Sequence, residues 1–403
     1  MSKGLQGVTG IENLDLKNKR VFIRCDFNVP MENGNITDDT RITATWPTID
    51  YALKQGADVI LGSHLGRPKK SEDHKKFSLE PVAEYLRDKY GHEIILVDDP
   101  ESDAPKALIA GLKKNQIIML ENLRFSAGEE KNSHEFAAQL SSYIDVYIND
   151  AFGASHRAHA SVSELPRLMP IRGAGFLIQK ELAMLDKLLE SPRLPYWVIM
   201  GGAKVSDKIG VIEKLIDKVD GFIIGGAMAY TFLKAMGVEV GHSLVEREKI
   251  EFTGELIKRV KARGKKILLP IDHRVSQSIK SSEVITTPNE KIPDGFLGLD
   301  IGPQTEKLFC TELLSAKTVF WNGPMGVFEN PKMCQGTFAI AKALSGLEAD
   351  TIVGGGDTAS AAKASGFADM LTHISTGGGA SLEYLQGDPL PGIDSLRKGK
   401  RGE

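Results

Sequence analysis

The chain has 403 residues, 41% hydrophobic and 26% charged, more than one hydrophobic core usually serves; a single small binding module and a disordered chain are both excluded. With 50 basic against 53 acidic side chains the formal net charge is -3, so nothing global draws the protein to nucleic acid or an anionic membrane. Any anion site has to be local. The 3 cysteines, Cys25, Cys310 and Cys334, show no Cys-x-x-Cys spacing, which speaks against a zinc site or redox pair and for a reduced compartment. The start, MSKGLQGVTG, lacks the apolar stretch of a secretory signal, and no run of 18 apolar residues follows. A soluble cytoplasmic protein is expected.

In chain order, RVFIRCDFNVP reads as a strand running into a loop, because Pro30 cannot continue a ladder. DDTRITATWPTIDYALKQG is helix-like around a proline, and ADVILGSHLGRP is a second apolar run that stops at Gly62. EIILVD, QIIMLENLRF and DVYINDAF continue the series. Short strands separated by helical stretches predict a parallel α/β sheet whose strand ends form the ligand rim. The region from about residue 161 to about residue 197 is less regular and carries the helical pattern LIQKELAMLDKLLE, the expected link between two domains. Beyond it, YWVIMGG opens a strand, glycine turn and amphipathic helix, with Ile209, Ile212, Leu215, Ile216 and Val219 at helical spacing. The same grammar returns in DGFIIGGAMAYTFLKAMG, ADTIVGGGDTASAAKASG and THISTGGGASLEYLQG, while KKILLPID and KTVFWNGPMGVF lack an immediate helix. It is a recurrent βα grammar and not an exact repeat.

In the first half, polar and basic residues fall at the predicted strand ends. Arg24, Asp26 and Asn28 follow the first strand, His64 and Arg67 the second; Arg124 follows LEN, and His156 and Arg157 follow NDAFGAS. Arginine's rigid fork suits two charge-assisted bonds to phosphate or carboxylate, so several converging arginines, Arg41 among them, point to a small, doubly anionic ligand. The alternatives are structural pairs, such as Arg24 with Asp26, and solvated faces. No His-Glu-x-x-His cluster and no Gly-x-Ser-x-Gly elbow is present, so a zinc site and a serine hydrolase lack their signatures.

In the second half, Gly201 and Gly202 allow close backbone approach, and Lys204 and Lys208, four apart, fall on one side of the next helix start. In IVGGGDTASAA three glycines admit a phosphate, Asp357 offers a contact to Mg2+, and Thr358 is suited to cap the alanine-rich helix. Glu329, after a glycine- and proline-controlled turn, can accept from a ribose. Neither a P-loop nor Gly-x-Gly-x-x-Gly is present, so no nucleotide class is specified by spacing alone.

Taken in order, RCDFNVP, SHLGRP, LENLRF, NDAFGASHR, GGAKVSDK, LLPID, DIGPQT, WNGPMGVFE, VGGGDT and HISTGGGASLE closely resemble the phosphoglycerate kinase family over nearly the whole chain. The resemblance implies an α/β protein of two doubly wound parallel-sheet domains, separated by a cleft and joined by a linking helix. Residues 1–180 are then the 3-phosphoglycerate-binding domain, 181–385 the nucleotide-binding domain, and 386–403 a segment returning to the first. The implied reaction is reversible transfer of a phosphoryl group from 1,3-bisphosphoglycerate to ADP with Mg2+, giving 3-phosphoglycerate and ATP. By the same resemblance Asp26, Asn28, His64 and Arg67 hold the glycerate end, Arg124 and Arg157 the nontransferred phosphate, and Arg41 the reacting carboxyl region. Lys204 goes with the transferring phosphoryl and Lys208 with the nucleotide phosphates. Glu329 is the ribose contact, Asp357 the Mg-nucleotide residue, and Gly355, Gly356 and Thr358 surround the phosphates. Arg41 and Lys204 are the implied catalytic pair.

In-line transfer without a phosphoenzyme, with hinge closure around the linking helix, is what the resemblance implies, for a monomer without nucleic-acid, membrane or obligate protein partners. Cys25 departs from the aliphatic residue common in the first motif, and His273 and Arg274 depart from an apolar continuation of LLPID. Two other classes compete: a nicotinamide-dependent oxidoreductase, which lacks its glycine fingerprint, and a nonenzymatic anion binder, separated from a kinase by Mg-dependent ATP formation.

Overall fold

The computed structural model describes residues 3–281 and 283–397. Of the expected C-terminal segment, residues 398–403 lie outside the described residues, as do Met1 and Ser2 of the leading MSKG. The chain divides into two compact units, one reaching to Ala183 and resuming at Pro389, the other Met184–Asp388.

Each unit is built on a six-stranded parallel sheet. Strands such as RVFIR and YWVIM are apolar on successive positions, because helices cover both faces of a parallel sheet and neither face can be polar. The first unit contains β1 (Arg20–Arg24), β2 (Asp58–Gly62), β3 (Glu93–Val97), β4 (Gln116–Leu120), β5 (Val146–Asn149) and β6 (Arg172–Ala174), in the order β3-β4-β2-β1-β5-β6. The chain winds one way from β1 to β2 and the other way through β5 and β6, so the winding reverses between β1 and β5. In such sheets ligands bind outside the carboxyl ends of the strands at that reversal. Register makes those ends level: Arg24 is opposite both Gly62 and Asn149.

The second unit repeats the plan with β7 (Tyr196–Met200), β8 (Gly221–Ile224), β9 (Lys266–Leu268), β10 (Thr318–Asn322), β11 (Asp350–Gly354) and β12 (His373–Ile374), in the order β9-β8-β7-β10-β11-β12. Here the reversal falls between β7 and β10, with Asn322 level with Met200 and Gly354. Trp321, Phe320 and Phe309 are fully buried in this unit, as are Phe22, Tyr147 and Ile23 in the first. Burying a side chain of this kind contributes about 1.5–3 kcal/mol each.

After β9 the chain enters a three-stranded antiparallel sheet, with His273–Ser276 between Ile285–Thr286 and Leu297–Ile301. This explains the missing helix after KKILLPID and the departure at His273 and Arg274. His273 is buried with Nε2 3.1 Å from the Glu290 carbonyl, and Arg274 Nη1 donates to Glu306 at 2.5 Å and to the Ile301 carbonyl. Both serve the local structure. Cys25 is equally at home: it is fully buried, and burial pushes its thiol pKa well up.

Among the helices, α1 (Thr40–Lys54) accommodates Pro47, and α2 (Phe176–Glu190) runs from one unit into the other. The start of α2 is set by two side chains: Thr48 Oγ1 accepts from the Phe176 N–H at 2.9 Å, and Asp150 Oδ1 from Leu177 and Ile178 at 2.9 and 3.2 Å. The returning segment is bonded into the first unit. Asn149 Nδ2 donates to the Gly392 carbonyl at 3.0 Å, Gly392 N–H to the Ser155 carbonyl at 2.8 Å, and Ser395 Oγ to the Val162 carbonyl at 3.1 Å. Among the described residues no helix is long and apolar enough to cross a membrane.

Candidate active site

In the first unit, the carboxyl ends of β1, β2, β4 and β5 bring Asp26, Asn28, His64, Arg67, Arg124 and Arg157 to one edge of the sheet, with Arg41 entering from α1. Arg41 Nη1 donates to Asp26 Oδ2 at 2.7 Å. Asp26 is therefore the partner of Arg41 and not of Arg24, as a structural pair between sequence neighbours would have had it. Arg24 is buried and spoken for by Ser161 Oγ at 2.7 Å, Glu129 at 3.7 Å and the Cys25 carbonyl. Asn28 Oδ1 accepts from Gly66 N–H at 2.8 Å, and Arg124 Nη1 donates to the Gly66 carbonyl at 2.6 Å, so one glycine fixes two site residues.

The positive charge of this cluster is only partly offset by Asp26, Glu129 and Glu130. Burial pushes the Arg124 guanidinium down to about 10, with the Arg157 charge adding to the effect. Burial, then the charges of Arg24, Arg124, Arg41 and Arg157, hold His64 well below the usual histidine range, so it is neutral at physiological pH. Arg124 Nε and His156 Nδ1 are buried without a hydrogen-bond partner, Arg124 Nε having only Glu130 at 3.3 Å. Arg157 Nε donates to His156 Nε2 at 3.2 Å, while Arg67 is exposed. Crowded guanidiniums and idle buried polar atoms make a site that gains from an anion.

In the second unit, a cavity of about 340 Å³ opens at the ends of β7, β10, β11 and β12. Lys204, Lys208, Asn322, Gly355, Gly356, Asp357 and Thr358 all line it. Lys208 Nζ donates to Asn322 Oδ1, and burial lowers its pKa against the opposing charges of Asp207 and Asp357. The helix α3 (Ile209–Leu215) starts after both lysines, so Lys204 lies on the preceding loop and meets Lys208 through the cavity, not through helical spacing.

Thr358 does not cap its helix, α4 (Gly356–Ala364). The cap position is Gly355, without a side-chain bond, and Thr358 Oγ1 instead accepts from Gly323 N–H at 2.7 Å. A buried Gly323 N–H outcompetes the helix end for the hydroxyl, which leaves the first turn's N–H groups, with their partial positive charge, open for an anion. Gly355 takes φ 92° and Gly323 φ 99°, conformations that favour glycine; a Cβ at Gly201 would collide with the Gly323 and Pro324 carbonyls.

A second cavity of about 310 Å³ shares Gly202, Ala203, Pro324 and Asp357 with the first. Its walls are mainly apolar, from Tyr230, Leu244, Ile279, Leu297, Leu299 and Val327, with Glu329 among the lining residues. A polar, cationic cavity thus adjoins an apolar one with a carboxylate at its wall, a combination with room for a ligand that is anionic at one end and flat and apolar at the other. Among the described residues no group of three or more His, Cys, Asp and Glu can hold a metal alone. Asp357 and Asp207 are the carboxylates of the polar cavity, and so few protein oxygens fit Mg2+, which keeps waters and shares the rest of its coordination with substrate phosphates. The apolar walls are not legible in the sequence, because Tyr230 comes from the helix Met228–Ala235, Leu297 and Leu299 from the small sheet, and Leu244, Ile279 and Val327 from loops and turns, with no common spacing. Asn322, Glu129 and Ser161 were equally silent, although the first stands in plain view in FWNGP.

Two parallel-sheet units, one with arginines gathered at its strand ends and the other with a cationic, glycine-lined cavity there, have the construction of an α/β phosphotransferase. The family described as phosphoglycerate kinase matches residues 11–388, and the chain belongs to it. A phosphoglycerate kinase from Bdellovibrio bacteriovorus is 57% identical over 398 residues, covering 98% of this chain and 99% of that protein. One from Anaeromyxobacter sp. is 51% identical over 389 residues, covering 96% and 98%. The solved phosphoglycerate kinase from Coxiella burnetii superposes with TM-score 0.85 at 38% identity, and that from Pyrococcus horikoshii with 0.80 at 32%, each over 96% of this chain and 98% of the other. The activity is reversible phosphoryl transfer from 1,3-bisphosphoglycerate to ADP, the ATP-forming step of glycolysis that yields 3-phosphoglycerate, with Mg2+ accompanying the nucleotide.

Proposed function

We propose that the first unit holds the glycerate substrate and the second the Mg-nucleotide, in a cytoplasmic enzyme that acts as a monomer. The observation that carries this division is the pairing of cavities in the second unit, one cationic and glycine-lined, the other apolar with Glu329, against a compact arginine cluster in the first. Asp26, Asn28, His64 and Arg67 hold the glycerate end, and Arg124 and Arg157 the phosphate that stays. Lys208, Gly355, Gly356 and Thr358 surround the nucleotide phosphates and Glu329 meets the ribose.

Arg41 and Lys204 act where charge moves. As the phosphoryl group passes, charge spreads over its equatorial oxygens, and fixed cations and N–H groups stabilise that distribution without reorganising. No general base is needed in the ATP-consuming direction, because the attacking carboxylate is already ionised, so neutral His64 is assigned to binding and not to proton transfer. Asp357 would hold Mg2+ brought in with the nucleotide, and the ion would supply charge neutralisation at the phosphates. With the reactants on different units, transfer requires closure, and α2, which passes from one unit to the other, is the proposed hinge. Small-angle scattering with both ligands bound is expected to show compaction; unchanged dimensions at full occupancy contradict closure. The whole reading is tested by ATP formation from 1,3-bisphosphoglycerate and ADP with and without Mg2+, together with calorimetric binding of each ligand to variants of each unit. Loss of nucleotide binding on changing the arginine cluster alone overturns the division.

A further inference from the structure

The loop between β7 and α3 that carries Lys204 is gripped from outside by one carboxylate. Glu246 Oε2 accepts from the Val205 N–H at 2.5 Å and the Ser206 N–H at 3.1 Å, while Oε1 accepts from the Ser206 hydroxyl at 2.6 Å. All three bonds fall on the two residues directly after Lys204. Glu246 is itself tethered, its N–H donating to Oγ1 of the buried Thr231 at 3.1 Å. On the other side the Val205 side chain is fully buried, whereas Lys204 and Ser206 are exposed. Burial works against charge on Glu246, but the Ser206 hydroxyl, the two N–H groups and the Lys204 charge outweigh it and hold the carboxyl below its ordinary range. It is ionised at neutral pH. The same segment reaches the apolar cavity: Leu244 lines it, and Ser243 Oγ accepts from Gly298 N–H at 2.9 Å, Gly298 being another lining residue.

We propose that Glu246 is a positioning residue for Lys204, and that residues 243–246 tie the seating of the nucleotide base to the placement of that lysine. The proposal rests on the reading of Lys204 given above. Lys204 sits on an exposed loop, so its own contacts cannot hold its backbone to the tolerance that transfer requires; a misplacement of about 1 Å costs on the order of 100-fold in rate. Three bonds to one anchored carboxylate supply that tolerance. Because Glu246 binds the backbone beside the lysine and lines neither cavity, its loss changes turnover more than substrate affinity.

The test compares Glu246→Ala, Glu246→Gln, Lys204→Ala and the double variant E246A/K204A in steady-state assays, with thermal melting as the fold control. E246A is expected to lower kcat at least about tenfold while the KM for 3-phosphoglycerate stays within about twofold. E246Q, whose amide carbonyl still accepts from both N–H groups, is expected to recover most of that loss. E246A/K204A is expected to turn over no more slowly than K204A, because one effect passes through the other. Losses that multiply, or a folded E246A with unchanged kcat, overturn the proposal. Where E246A does not fold, Ser206→Ala removes one bond only: a drop of about twofold to threefold in kcat supports the assignment and an unchanged kcat refutes it. A K204A enzyme of normal turnover sinks the underlying reading of the lysine, whereas slow K204A with normal E246A sinks the positioning role alone.

Discussion

The two units use one sheet plan and the same topological position to gather cationic groups of unlike kind. In the first, Arg24 and Arg124 are at most 8% exposed and each is locked to the backbone, as is Asn28 through Gly66. In the second, Lys204 is exposed and much of the lining is glycine backbone. The difference follows from what each type of cation does well. A buried guanidinium keeps its charge and its planar fork, so it suits recognition of a ligand whose phosphate stays where it is. Backbone N–H groups with a flexible ammonium follow a charge that shifts between oxygens, which suits the proposed side of transfer.

On this contrast, variants in the two units fail differently. The largest effect is expected for Lys204→Ala: kcat falls about 100- to 1000-fold with little change in either KM, as for loss of one donor to a transition-state charge. Stopped-flow single-turnover measurements check it, and an unchanged rate removes Lys204 from the chemistry. Next comes Arg124→Ala, which gives up charge-assisted bonds of about 1.5–3 kcal/mol and so weakens 3-phosphoglycerate binding about ten- to hundredfold, leaving nucleotide affinity intact. Isothermal titration with each ligand separates the two; equal losses for both erase the contrast between units.

A third, smaller effect concerns pH. Below the ordinary histidine range of about 6.5 the unfolded His64 takes up a proton that the buried imidazole, facing four arginines, refuses. The unfolded state then binds more protons, so stability present above that range is lost as the pH falls, at up to about 1.4 kcal/mol per pH unit. Urea unfolding near neutral pH and about 1.5 pH units lower should show a shallower acid loss in His64→Gln; parallel curves contradict the assignment. Smallest is Glu329→Gln, for which the nucleotide KM should rise about threefold to tenfold, as for a weakened exposed hydrogen bond, with kcat retained. A nucleotide-independent change detaches Glu329 from the ribose.

The strand and helix grammar of both units could be read directly, because each buried parallel strand is a short apolar run ending in glycine or a polar turn, as in ADVILG and YWVIMGG. Residues at those ends, Arg124, Arg157, Lys204 and Asp357 among them, were visible for the same reason. What stayed hidden depends on long-range contact. Arg41 pairs with Asp26, and Lys208 meets Asn322, 114 positions on, only once the strands are in register. Sequence proximity favours a local helix cap for Thr358, whereas the fold offers its hydroxyl the Gly323 N–H. The apolar cavity is the extreme case, assembled from side chains that share no period.

The bonds between Asn149, Ser155 and Gly392 have a consequence for the newborn polypeptide. The unit that leaves the ribosome first lacks a piece of itself until the chain beyond Pro389 is made, whereas the unit inserted between its two parts, Met184–Asp388, is complete beforehand. Synthesis order and order of completion are thus inverted, and until its closing stretch arrives the early half has to tolerate Asn149 and the Ser155 carbonyl without their final partners.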